Sequence, residues 1–231
     1  MKAVRAIALL IILASFVLGL LLYSQMPDKM ASHWNASGEV NGYLPKFWGL
    51  FLMPIISVVL YCLLVCLPKL DPLRQNVDKF RDYYDGFVLI VFLFLLYVHA
   101  LTLAWNMGCQ FSMGVVLVPA FAFIFYYAGV LMGKAKRNWF IGIRTPWTLS
   151  SDEVWERTHR LGAILFKLSG LFALIGIFFP DHAFWFVLVP IIAFSVILIA
   201  YSYVVFKEMD AGKKSQNKKA GRKKAKPAKK K

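Results

Sequence analysis

Acidic side chains are scarce in this sequence. Of its 231 residues only 12 are Asp or Glu, against 27 Lys or Arg, and all four charged types together make up 17%. Soluble domains carry about a quarter charged residues, so the shortfall argues against a surface that faces water throughout. Cysteine is nearly as sparse. Cys62, Cys66 and Cys109 include no C-x-x-C pair and have no histidines at metal-ligand spacing, which leaves neither a disulfide framework nor a metal site; all three are read as apolar packing residues. H-E-x-x-H, G-x-S-x-G and P-loop motifs are also missing, as are paired carboxylates at membrane depth. The four histidines, His33, His99, His159 and His182, fall in different segments. No catalytic residue, metal or cofactor is assigned, and the chain is read as a non-enzyme.

Apolar sequence is what fills the chain. Hydrophobic residues reach 59% and the mean hydropathy is +0.61. Uninterrupted apolar stretches lie at 6–23, 47–67, 86–105, 113–133, 161–179 and 185–206, each near the roughly 20 residues a helix needs to cross a bilayer. Backbone groups in hydrocarbon must be satisfied within their own segment, and no stretch alternates like a barrel strand. The fold expected is all-α, polytopic, with six transmembrane helices. The first stretch is read as a retained helix rather than a signal peptide, because it is too long for a signal core and the following YSQMPDKM has no small-x-small cleavage pattern.

Basic residues set the orientation. With a cytoplasmic N-terminus, the inside segments hold 24 Lys and Arg and the outside segments 2, with Lys167 inside the fifth helix. This positive-inside bias places both termini in the cytoplasm. The last 25 residues carry 12 of these cations, and their Lys, Ala and Gly composition predicts a disordered polybasic tail. Such a tail is drawn to anionic lipid at about 1 kcal/mol per basic residue; it is not read as binding nucleic acid. The chain thus divides into an N-terminal helical hairpin with an outer loop (1–68), a four-helix membrane region (69–206) and the tail (207–231).

The even-numbered spans resemble one another at their outer ends: LFLMPIISVVL (50–60), VVLVPAFAFIF (115–125) and FVLVPIIAFSV (186–196). Pro54, Pro119 and Pro190 align, and each removes one helix hydrogen bond and kinks its helix. Three repeated helical hairpins and an outward cleft between splayed ends would account for the pattern, and so would the ordinary tolerance of membrane helices for proline. Two odd-numbered spans are expected to start before the membrane, one capped by Asp71 with Pro72 at its first position, the other by a Ser150–Glu153 capping box.

Two connecting segments have chemical character. Outside runs SQMPDKMASHWNASGEVNGYLPKFWG, with Trp34, Tyr43, Phe47 and Trp48 as amphipathic rings and Gly38, Asn41 and Gly42 as candidates for positive-φ turns. His33, Trp34, Asn35, Gly38, Asn41, Gly42, Tyr43 and Lys46 are the candidate ligand-binding residues there; an aromatic belt with ordinary turns is the competing reading. Inside runs GKAKRNWFIGIRTPWTLSSDEVWERTHR, where Asn138, Trp139, Gly142, Arg144, Thr145, Pro146, Trp147, Ser150, Glu153, Trp155 and His159 form a candidate docking or gating segment, or an interfacial segment pinned by tryptophans.

Together, MPDKMASHWNASGEVNGYLPK after the first helix and RNWFIGIRTPWTLSSDEVWERTHR before the fifth resemble the SdpI-type bacterial immunity family over about residues 1–206, with the outer motif similar to the small membrane domain that commonly begins such proteins. That resemblance implies six helices in the bacterial cytoplasmic membrane, protection against a secreted membrane-active peptide toxin, and, in at least one lineage, membrane capture of a soluble repressor. The rival is a small-solute or ion transporter, for which intramembrane His99 and Lys167 are the candidates and should then face one cavity.

Overall fold

The computed structural model describes residues 2–224. Within them, six helices are long and apolar enough to cross a membrane, and each arises from an apolar stretch named above. The first is α1 (Lys2–Leu22), which a 3₁₀ turn (Tyr23–Gln25) connects to an antiparallel pair, β1 (Lys29–Trp34) and β2 (Val40–Pro45). Then follow α2 (Lys46–Leu70), a short α3 (Arg74–Asp78), α4 (Arg81–Asn106), α5 (Met113–Lys134), a short α6 (Pro146–Ser150), α7 (Asp152–Ala173) and α8 (Ala183–Lys224), with 3₁₀ turns between the last two. The chain is a multi-pass membrane protein. Its spans put the β hairpin at one end of the bundle, the hairpin end, and Lys2 and Lys224, the limits of the described chain, at the other, the termini end.

Each even-numbered span packs on the odd one before it; α1, α2 and α4 contact one another, as do α5, α7 and α8, and α4 with α5 joins the two groups. The most intimate pair is α5 with α7. Association in lipid lacks a hydrophobic driving force between helices, so close backbone approach must supply the packing. It does so at two glycines. A Cβ on Gly129 would stand 2.7 Å from the Ala163 carbonyl and 2.9 Å from the Lys167 nitrogen, and one on Gly170 would stand 2.5 Å from the Ala122 carbonyl.

All three aligned prolines lie inside helices, yet they do not share an environment: Pro54 and Pro190 are buried while Pro119 is exposed. Cys62, Cys66 and Cys109 are exposed rather than packed inside the bundle, because their faces of α2 and of the loop after α4 point away from the other spans.

Two local expectations are corrected. Ser150 does not open a capping box: it ends α6 and donates to the Trp147 carbonyl, and α7 is capped instead by Ser151, whose hydroxyl accepts from Val154 N. The box belongs to α6, where Thr145 and Thr148 bond each other's backbone nitrogens reciprocally. The helix expected to run from Asp71 into the third span is broken between α3 and α4, where Phe80 turns into the core at 1% exposure.

The described part of the tail runs on from the last span. α8 continues unbroken to Lys224, so residues 207–224 prolong a helix already nucleated by the membrane span, which removes the initiation cost that keeps short isolated helices unfolded. Glu208 bonds Arg157 at 3.1 Å, and Asp210 pairs with Lys214 one turn on at 2.8 Å. Residues 225–231 lie outside the described part.

Gly170→Val should force α5 and α7 apart. Overpacking of this kind costs about 1–3 kcal/mol, to be read as a lowered midpoint of thermal unfolding in detergent, with Gly212→Ala, where nothing lies within 4 Å of an added Cβ and the backbone is helical, as the milder comparison.

Candidate functional site

Two constructed regions stand at opposite ends of the bundle. At the hairpin end, Met30 is fully buried and, with Met26, Leu50, Phe51 and Leu103, forms a core that seats the hairpin on α2 and α4. The seat is fixed by one side chain. Asn106, at the end of α4, accepts from Ala31 N at 2.7 Å and donates to Ala31 O at 3.0 Å, so its amide reads the outer edge of β1 as a neighbouring strand would. Trp34 packs edge-on against Trp105, with centroids 5.7 Å apart. Lys46 is drawn back to the strand start by Asp28 at 3.0 Å and lies over the Tyr23 ring.

The turn is organised by Asn35. Its carbonyl oxygen accepts from Ser37 N and Glu39 N, and its amide donates to the Glu39 carboxylate. His33 Nδ1 and Asn41 Oδ1 meet across the strands at 2.5 Å. Of the three residues expected to supply positive φ, Gly38 alone does so, at +81°. Gly42 is needed for a different reason, since a Cβ there would lie 2.8 Å from His33 Cβ; Asn41 is ordinary strand. The hairpin register also has a consequence for its edges. Ala31 directs its backbone groups to Asn106, and in an antiparallel ladder its opposite number, Tyr43, then directs its own away from β1. The edge of β1 is covered there and that of β2 is open, with Asn41, Tyr43 and Pro45 exposed along it.

At the termini end, residues 135–160 form a second unit. Asn138 is completely buried. Its amide donates to the Lys136 and Ile141 carbonyls while its oxygen accepts from Phe140 N and Ile141 N, so one side chain closes the loop. Asp71 accepts from Leu73 N and from Trp139 N, at 2.7 and 2.9 Å, tying the α2–α3 turn to this loop. Asn76 donates to the Arg137 carbonyl. From α7, Trp155 donates its indole N–H to the Ala135 carbonyl and stacks on His159 at 3.9 Å.

His159 carries the tightest constraint. Its Nε2 accepts from Ile143 N at 3.0 Å, so the ring proton of the neutral imidazole belongs on Nδ1, which lies 2.9 Å from the Trp155 carbonyl. Gly142 has φ +109°, and an added Cβ would collide with His159 Nε2. Beyond it, Thr148 bonds the Ile143 carbonyl, Thr145 meets Ser202 of α8 at 3.0 Å, and Trp147 packs on Tyr203. Ion pairs Lys136–Glu156, Arg137–Asp152 and Arg157–Glu208 ring the unit.

The candidate residues of this segment therefore separate into two sets. Asn138, Thr145, Trp155 and His159 are buried framework, whereas Trp139, Gly142, Arg144, Pro146, Ser150 and Glu153 are exposed and Trp147 is half-buried. Sequence reasoning missed Asn106, Thr148 and Ser202, and it read Asp71 as a helix cap alone. Asn106 had a signal: a lone amide at the end of an apolar span. His99 and Lys167 are not brought together. His99 reaches the Ser15 backbone on α1, and Lys167 lies along Gly129 of α5. Among the described residues, no three His, Cys, Asp or Glu side chains are placed to hold a metal.

Residues 134–203, which contain this second unit, match the SdpI/YfhL protein family. Over that stretch the chain is similar to the SdpI type. Residues 10–58, with the hairpin, match a domain of unknown function, DUF1648. The immunity protein SdpI of Bacillus subtilis (strain 168) is 22% identical over 208 residues, covering 90% of this chain and 98% of that protein. No solved structure matches the chain.

Asn138→Ala would leave two buried N–H groups without their acceptor. Each unsatisfied group costs about 1–3 kcal/mol, so the 135–145 loop should become susceptible to protease in detergent or inverted vesicles. Asn35→Ala should leave that loop's cleavage pattern unchanged, since the two lie at opposite ends of the bundle.

Proposed function

We propose that this chain is an immunity protein of the bacterial cytoplasmic membrane, protecting its cell against a secreted antimicrobial peptide by binding rather than catalysis. The observation that carries the reading is the alignment with the Bacillus subtilis immunity protein through 98% of that protein's length, which takes in both the hairpin and the 134–203 unit. Orientation rests on the 24 to 2 distribution of Lys and Arg, which puts the termini end in the cytoplasm and the hairpin outside.

In this reading the hairpin end is where the toxin is held. Exposed Tyr43, Phe47 and Trp48 offer aromatic faces at the membrane boundary, the open edge of β2 offers backbone partners to an extended peptide, and His33, Asn35, Asn41 and Lys46 hold the hairpin in the shape that presents them. Any signal to a cytoplasmic regulator, such as a soluble repressor, would leave through the exposed Trp139, Arg144 and Pro146 and the half-buried Trp147, and would require toxin to favour one arrangement of α5 and α7 over another. The polybasic end of α8 would meet anionic lipid on that side. A transport pathway is less well supported, since His99 and Lys167 lie on different helix interfaces.

The test is survival of a toxin-sensitive bacterium expressing this chain during exposure to the peptide that the Bacillus subtilis protein neutralises. Expression should raise survival at least tenfold, and His33→Ala, Trp34→Ala and Asn35→Ala combined should abolish that gain while membrane levels of the protein hold. Full protection by the triple variant would remove the hairpin from the mechanism; no protection by the wild type at good membrane levels would defeat the immunity reading for that toxin.

A further inference from the structure

One cleft at the termini end has the two-sided chemistry of a lipid rather than of a soluble ligand. It occupies about 360 Å³ where the end of α5 meets α7, with Met132, Ala163 and Ile164 on its apolar side and Lys134, Lys136, Glu156 and Arg160 on its polar side. The cleft exists because α5 carries glycine at 133. The approach at Gly129 brings the two helices to backbone contact, and one turn later an exposed Gly133 leaves the space that a larger residue would fill, its nearest neighbour being Ala163 Cβ at 3.4 Å from an added Cβ.

The charges do not cancel. Glu156 is taken by Lys136 at 2.9 Å, leaving Lys134 and Arg160. Lys134 reaches the ring of Tyr83, a cation–π contact that keeps its charge, and among the described residues Arg160 has no carboxylate within ion-pair distance. The apolar side is continuous with the outer surface of α7, where Ile164 and Leu168 are more than two-fifths exposed, the face an acyl chain would follow. A soluble anion would gain from the cations only; a phospholipid gains from both sides.

We propose that this cleft binds one anionic glycerophospholipid, its phosphate between Lys134 and Arg160 and an acyl chain along Ile164. The site is independent of what the hairpin end holds. Native mass spectrometry of the full chain, purified in detergent and mixed with phosphatidylglycerol or phosphatidylcholine, tests it. Wild type should retain one phosphatidylglycerol at least fivefold better than phosphatidylcholine. Lys134→Gln with Arg160→Gln should erase that preference, and so should Gly133→Leu, which fills the cleft and removes no charge. The pair Lys69→Gln and Lys207→Gln, an equal loss of charge elsewhere at the same end, should leave it intact. The proposal falls if the Lys69 and Lys207 pair erases the preference as fully, since bulk charge then explains it, or if Gly133→Leu binds as wild type. It falls as well if millimolar inorganic phosphate displaces the lipid, which would make this a soluble-anion site.

Discussion

The close approach of α5 to α7 is the constraint on which the termini end depends. Gly129 and Gly170 bring each helix to the other's backbone, a form of packing that substitutes in lipid for the hydrophobic drive available in water. That approach sets where α5 stops and α7 begins. Only with the two helix ends so close can Trp155 of α7 donate to the Ala135 carbonyl just past α5, and only then does the intervening loop have to fold back on itself. Asn138, Gly142 and His159 are the solution to that folding problem: an amide that satisfies four backbone groups, a left-handed residue that reverses the chain, and an imidazole that accepts the amide exposed by the reversal.

Charge is arranged to fit. Beside two pairs that lie along one helix, Arg81 with Asp85 and Lys214 with Asp210, the termini end holds three that cross between elements: Lys136 and Arg137 from the loop with Glu156 and Asp152 of α7, and Arg157 with Glu208 of α8. Exposed pairs of this kind contribute little individually. Their value is in register, since each fixes α7 to a residue at least 15 positions away along the chain. Thr145 with Ser202, and Trp147 with Tyr203, extend the same fastening to α8, so loop, α7 and α8 are joined as one body below the membrane spans.

The six spans were legible in the sequence because bilayer thickness imposes one length on every apolar stretch, and that signal does not depend on neighbours. The hairpin was not. Its strands, KMASHW and VNGYLP, have no strong alternation, and they pair because Met30 is buried against α2 and Asn106 covers the edge of β1, two contacts made across long stretches of chain. Helix starts were misread for a related reason: Ser150, Ser151, Thr145 and Thr148 all qualify as caps by residue type, and the choice among them was made by Pro146, which suits the first position of α6, and by the buried carbonyl of Ile143 that Thr148 must satisfy. The role of Asn138 could be named as a candidate, but whether a polar residue between Arg137 and Trp139 faces solvent or closes a loop is decided by tertiary structure.

The hairpin end poses a different question, that of which groups remain to meet a ligand. Its conspicuous polar side chains are already occupied: Asn35 holds the turn, His33 and Asn41 hold each other, and Lys46 is held by Asp28. A ligand that competed for them would have to replace bonds already made, gaining little. The outward backbone groups of Tyr43 are in another position, as is the indole N–H of Trp34, which is buried without a hydrogen-bond partner among the described residues. If a peptide is held at this end, the physical gain lies in the strand edge and in the aromatic faces beside it, and the polar side chains act by holding the hairpin in the shape that presents them. On that argument Asn35, which never needs to touch the ligand, matters as much as Tyr43, which does.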